Sequence, residues 1–376
     1  STCSWWTTSS SWRTRSRRIN DGLVNSYVRT LSVAENGDLW IGTEGGLNNF
    51  DGNTFTAFTT ESGLSNNIIY SSFIDLEGNI WLGTNGGGVN LFLGNYIASY
   101  NEQTGLPNNL VTSFTEDRNG KIWVAMYGGG ITAIQNGHFK DEGINRQLPD
   151  RQVYKVYTDS KKDMWVGMNE GLAVIRNNEV KLFRDHEFSF RKVRDIMETS
   201  AGVYWISTYE DGIVRYENGT FTQFDEDYGI ASNTVLSSVE GDDGSIWIAT
   251  YGGVTRYKDG EIQNFTIQEG LPNNGVMNVM KDDEGRIWVA TFGGIAWYDG
   301  LRFQSITTDD GLPDRVCYFI EQNEEGYYWI GTTNGVVRFD AEAYLQRSEG
   351  LDTGQMFQVI NKEIGLVADE LNLGAV

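Results

Sequence analysis

Histidine and cysteine are almost missing from this chain, with two of each in 376 residues. Cys3 and Cys317 are too few for a disulfide framework and lack the paired spacing of a thiolate metal site, so they leave the redox compartment open. With His138 and His186 far apart, no His/Cys cluster and no EF-hand spacing, neither a metal nor another cofactor is expected. Positive charge is also short. Twenty-nine Lys and Arg against 51 Asp and Glu leave a formal charge of −22 and a pI near 4.4, which argues against nucleic acid, whose phosphates need a basic surface. The acidic excess is expected to serve solubility. No apolar run is long enough to cross a bilayer, and the apolar residues come in short alternating runs of strand type.

Tryptophan, by contrast, is plentiful and periodic. Trp40, Trp81, Trp123, Trp165, Trp205, Trp247, Trp288 and Trp329 follow one another at intervals of 40 to 42 residues, each centred in a similar segment. Self-similarity at this period means one supersecondary unit copied eight times, each copy burying its faces against its neighbours. Length alone would suggest two or three domains; a sustained repeat allows one body. The copies begin near residues 21, 63, 105, 147, 188, 229, 270 and 311.

Within a copy, turns fall at fixed offsets. The third shows a strand at Val111 to Glu116, a turn at Asn119-Gly120, a strand at Lys121 to Met126, a Gly run, a strand at Ile131 to Gln135, a turn at Asn136-Gly137 and a last strand from His138. Asn-Gly and Asp-Gly between alternating runs are strong hairpin signals because both turn residues need positive φ. Each copy therefore reads as a four-stranded antiparallel meander, and eight in series read as an all-β chain, a β-propeller of four-stranded antiparallel blades over residues 19–364. The periodic Trp is expected to pack between adjacent blades. Eight blades are the preferred closure, with seven closing and one left over as the alternative. Ser1 to Arg18 reads as an irregular lead-in, and residues 365–376 as the start of a further blade that stops short. With Ser1 in place of Met and no recognisable signal peptide, the chain is expected to be a processed or truncated piece.

The seventh copy reads Gly270-Leu271-Pro272-Asn273-Asn274, then Asp282-Asp283-Glu284-Gly285-Arg286-Ile287-Trp288-Val289-Ala290-Thr291, then Gly293-Gly294-Ile295-Ala296-Trp297-Tyr298-Asp299. This resembles the two-component regulator propeller repeat, in register from about Asp21 to Asp340. The resemblance implies an extracytoplasmic sensor region, on the periplasmic or extracellular side of a bacterial inner membrane, attached to the membrane through parts of a longer regulator. Such regions often detect polysaccharide breakdown products. The repeat motif is a folding motif and brings no ligand residues with it.

Two ring positions carry candidate chemistry. The residue that follows each second strand runs Glu44, Asn85, Tyr127, Asn169, Tyr209, Tyr251, Phe292 and Thr333. Its four aromatics, Tyr127, Tyr209, Tyr251 and Phe292, could stack on the apolar faces of sugar rings, or simply cover the neighbouring Gly run. The residue four after each opening Gly runs Ser26, Asn67, Asn109, Arg151, Arg191, Asn233, Asn274 and Arg315. The guanidinium groups of Arg151, Arg191 and Arg315 suit bidentate capture of a carboxylate or sulfate, or could pair with nearby acids such as Asp150 and Asp314. Both positions should rim one mouth of the central channel, where an oligosaccharide, possibly anionic, would bind. A polysaccharide lyase is the enzyme alternative, although His138 and His186 fall near outer strands. A protein-interaction scaffold, including a homodimer through the propeller, is the third reading; no catalytic residue is assigned.

Overall fold

The computed structural model describes residues 22–360, apart from 53, 94–95, 136–137, 141–142, 178, 184–189, 324–325 and 347–355. The lead-in at 1–18, the unit begun at 365–376, His186 and the turn at Asn136-Gly137 lie outside the described residues. Eight four-stranded sheets are present among the described residues, each with its strands in chain order, so every blade is a simple antiparallel meander. Blades 1 to 8 span residues 28–58, 69–100, 111–140, 153–183, 193–224, 235–265, 276–306 and 317–360. The third blade runs Val111–Glu116, Ile122–Met126, Gly130–Gln135 and His138–Lys140, within a residue of the limits read from its turns.

The opening Gly-Leu has two structural jobs. Gly270 sits at φ 99°, a left-handed conformation that ends a one-turn 3₁₀ helix begun by Thr266, whose side chain caps Gln268. Leu271 then drops into the space between blades, as do Leu64, Leu106 and Leu312 in their copies. The short 3₁₀ turn itself carries no hydrophobic period, which is why alternation does not reveal it.

The core is a ring of eight clusters, and each cluster lies between two blades. Trp123 of blade 3 packs with Val153, Val156 and Met164 of blade 4. Trp165 reaches blade 5, Trp205 blade 6, Trp247 blade 7 and Trp288 blade 8 in the same way. Trp329 closes the circle: it packs with Leu23, Val28 and Ile41 of blade 1 and meets Phe50 edge-on at 5.6 Å. Eight blades therefore close, and the seven-blade alternative is excluded, because blade 8 has its own fourth strand at Phe357–Ile360 and its own contact with blade 1. Truncating a buried indole of this kind costs about 3–5 kcal/mol.

Four of these indoles are also held by hydrogen bonds. Asp75, Asp117 and Asp282, in Asp-x-x-Gly-x-x-Trp turns, and Asp159, whose turn has Lys162 in place of the glycine, each accept from the indole Nε1–H six residues on, at 2.8–3.0 Å. The other carboxylate oxygen takes a backbone N–H four residues on, so one side chain fixes the turn and the indole together. Asp282, 3% exposed, accepts further bonds from Arg286 and from Tyr328 of the next blade. Burial disfavours its charge, but these donors outweigh that and hold its pKa below the usual value. Asp282→Ala leaves several buried donors without an acceptor, and we expect a loss of about 3 kcal/mol, against about 1 kcal/mol for Asp117→Ala, which has fewer donors. Urea unfolding followed by Trp fluorescence measures both.

The closing contact lacks this clamp. Asn323 stands where Asp282 stands in blade 7, and the Trp329 Nε1–H is buried with no hydrogen-bond partner among the described residues. Glu321 lies directly across from Trp329 in the strand register, and desolvation raises its pKa from 4.5 to about 7. The folded chain thus binds this proton more tightly than the unfolded chain does. Its effect on stability worsens as pH rises from 4.5 through 7. Glu321→Gln should raise the unfolding midpoint at pH 8 and change it little at pH 4; a lowered midpoint at pH 8 would contradict this.

Candidate functional site: the channel mouth

The loops before each first strand and between each second and third strand meet at one end of the channel, because they bond to one another across blades. Gly88 N–H donates to Asn109 O, Gly128 and Gly130 to Arg151 O, Gly171 to Phe190 O and Gly212 to Asn233 O, at 2.8–3.0 Å. Within each blade the residue after the second strand extends the pairing toward the axis: Tyr127 N–H donates to Leu110 O, Tyr209 to Lys192 O, Tyr251 to Thr234 O and Phe292 to Gly275 O. The four aromatics are thus fixed by backbone bonds at equivalent heights around the mouth.

Every innermost strand carries a β-bulge between its first and third residues. The extra residue is left unpaired and its side chain is re-aimed. Round the ring these residues are Arg29, Tyr70, Thr112, Tyr154, Arg194, Leu236, Met277 and Tyr318. Sequence reading missed this ring. The signal was present as one residue too many in an alternating run, after a buried Val or Ile in seven copies.

The bulge residues link the expected aromatics into one arc. Tyr127 meets Tyr154 edge-on at 5.7 Å. The Arg194 guanidinium lies 5.2 Å from the Tyr154 ring centre and 5.0 Å from that of Tyr209. Tyr209 meets Tyr251 at 6.2 Å, and Tyr251 meets Phe292 at 6.0 Å. The arc spans blades 3 to 7. Phe292 also lies over Gly275, where an added Cβ would come within 2.5 Å of its ring, so covering a glycine and joining the arc are compatible. Burial, with Tyr127 and Tyr209 as respective neighbours, raises the Tyr154 and Tyr251 pKa values, so both phenols stay protonated and act as neutral hydrogen-bonding groups at pH 7.

The three expected arginines separate. Arg191 is clasped by Asp211, with Nε at 3.0 Å and Nη2 at 2.6 Å from Oδ1, and its own N–H also donates to that carboxylate. Glu210 lies against it at 3.3 Å, so Arg191 takes the ion-pair alternative. Arg151 and Arg315 are exposed and have no ion pair among the described residues. Asp150 and Asp314, their neighbours in sequence, instead accept from Gln152 and Val316 N–H in local turns. The ring position itself has a folding role: Asn67, Asn109, Asn233 and Asn274 each accept the backbone N–H seven residues upstream, at 2.8–2.9 Å. Arginine stands where that latch is absent. Arg315 lies in the loop before blade 8, the neighbour of blade 7, and so past the Phe292 end of the arc. His138 is exposed on the outermost strand of blade 3.

Arg191→Ala should lower stability by about 1 kcal/mol, because Asp211 is 6% exposed and keeps among the described residues only the backbone N–H of residue 191 as donor, a value reduced by the half-exposed position of the arginine. Arg151→Ala should change it by less than about 0.5 kcal/mol. Thermal unfolding of the two variants distinguishes them, and equal effects would contradict the assignment.

This geometry defines an eight-bladed propeller with an aromatic, cation-bearing channel mouth. Residues 22–45, 105–128 and 270–293, in three of the eight repeats, match the family model described as two component regulator propeller. No curated protein matches it. Among solved structures, virginiamycin B lyase from Staphylococcus aureus aligns over 72% of this chain and 94% of its own, at 17% identity and a TM-score of 0.55. The extracellular domain of a protein described as a one component system from B. thetaiotaomicron aligns over 84% of this chain, at 18% identity and a TM-score of 0.39. The chain spans 59% of that domain's length. A hybrid two component system's extracellular domain from the same organism aligns over 92% of this chain and 72% of its own, at 18% identity and a TM-score of 0.34. The lyase likeness shows the fold alone. No helix among the described residues is long and apolar enough to cross a membrane.

Proposed function

We propose that the chain is the extracytoplasmic ligand-sensing propeller of a two-component-type regulator and that it binds an oligosaccharide, preferentially an anionic one, at the channel mouth. The observation that carries this reading is Arg194, a guanidinium held between two tyrosine rings and without a carboxylate partner among the described residues, in the middle of an aromatic arc. Rings present flat apolar faces to sugars, and phenols add hydroxyls that both donate and accept. A guanidinium already planar against a ring gives up little freedom on binding a carboxylate or sulfate. The family match favours a sensor role over catalysis. A lyase would need a general base at the mouth, and the raised Tyr154 and Tyr251 do not offer one near neutral pH.

Titration calorimetry against neutral, uronic and sulfated oligosaccharides tests this. A saturable signal with an acidic glycan, the sugar recovered intact, is the expected outcome. Arg194→Ala and Tyr209→Ala should then each weaken binding at least tenfold. Unchanged affinity in both variants would remove the mouth from consideration, and time-dependent release of shortened sugar would replace the sensor with the lyase.

A further inference from the structure

At the opposite end of the disc, where the turns between first and second strands lie, a cavity of about 410 Å³ opens between blades 4 and 5. We propose that it is a second ligand site, for a small ring-bearing carboxylate. Its volume lies within the range of small-molecule sites. The walls are aromatic: Trp165 lies 4.5 Å from Tyr204 and 5.5 Å from Tyr216, and Phe183 stacks on Trp165 at 6.1 Å. Lys161 and Lys181 stand at the rim, each with its ammonium over one of those rings, at 5.4 Å from Tyr204 and 5.0 Å from Phe183.

The carboxylates in the lining are mostly committed. Asp159 accepts from Trp165, from the Tyr204 hydroxyl and from Asp163 N–H. Asp163 is gripped by the Arg176 guanidinium through Nε and Nη2. The Lys161 and Lys181 ammonium groups have no carboxylate ion-pair partner among the described residues, although with Asp159 and Glu179 counted the lining is neutral overall, its three acids matching its three cations. A carboxylate between the two lysines, with its ring against the aromatic wall, uses both features.

The equivalent cleft between blades 6 and 7 shows what a filled site of this type looks like. Arg256 there lies over Trp247 at 5.3 Å and binds Asp243, which Lys258 also binds, so its cations are taken. Blade 4 departs from the repeat at this spot. Its turn is Ser160-Lys161-Lys162-Asp163, and Lys162 occupies φ 66°, where the other seven copies place glycine. A side chain in that conformation costs of order 1 kcal/mol, a strain that marks a position maintained for something other than the turn.

Benzoate, glucuronate and the uncharged benzamide are the probes, titrated by calorimetry into the whole chain. Saturable binding of benzoate or glucuronate, with benzamide at least tenfold weaker, is expected; which acid binds decides between an aromatic and a sugar ring. The double variant Lys161→Ala/Lys181→Ala should lose at least tenfold in affinity with an unchanged unfolding midpoint, since both side chains are exposed. Arg194→Ala at the mouth should leave it unaffected, so failure at one site is separable from failure at the other. Equal binding of benzoate and benzamide, no binding of either acid, or full affinity in the lysine variant would overturn the proposal.

Discussion

The fold depends on one contact made eight times: an indole on the second strand of a blade, seated against the blade that follows. Because the second strand is covered on both faces, its residues are buried along almost their whole length, and the indole supplies the largest apolar surface there. Where the aspartate clamp exists, the same side chain also fixes the hairpin turn. Local turn and inter-blade contact then stand or fall together. Each blade touches only its neighbours, so stability is close to a sum of such interfaces. Closure joins the ends of this sum through a contact that has the indole but not the clamp.

The copies without the aspartate place Ala34, Thr199, Gly241 and Asn323 at its position. Their solutions differ. Trp247 has a guanidinium over its face, Trp205 is packed by Phe224 and Tyr257, and Trp40 by Phe58 and Phe92. Packing is thus the constant requirement and the hydrogen bond a local addition. This agrees with the small net value of a single hydrogen bond beside the burial of an indole.

Blade number, strand limits and the placement of the indoles were legible in the sequence, because alternation, Asn-Gly turns and a 41-residue period are all local signals. The mouth was legible in half. Tyr127, Tyr209, Tyr251 and Phe292 follow a strand end that the pattern locates, so their position could be read. Tyr154 and Arg194 could not, because a bulge breaks the period of two that defines which side a residue faces. The ion-pair alternative for Arg191 could not be given its partner in the sequence, because Asp211 lies twenty residues away on the next loop and only the folded blade brings them together. The Asn latch explains why arginine was conspicuous there, since four copies lack the residue that the turn otherwise uses and three of them carry arginine.

Blades 4 and 5 depart most from the repeat, and the middle of the mouth arc and the cavity on the far face both fall on their shared interface. One cluster joins the two ends. Phe190 and Val193, beside Arg191 and Arg194 at the mouth, pack in the same group as Trp165, Phe183 and Tyr204, which wall the cavity. The group is close-packed and carries two polar fixtures, the Asp159 clamp and the Tyr204 hydroxyl bonded to it. A ligand at either end can shift the other only by binding two arrangements of this cluster with different affinity. Sequence drift in blades 4 and 5 thus falls on the interface that the middle of the mouth arc and the far-face cavity share.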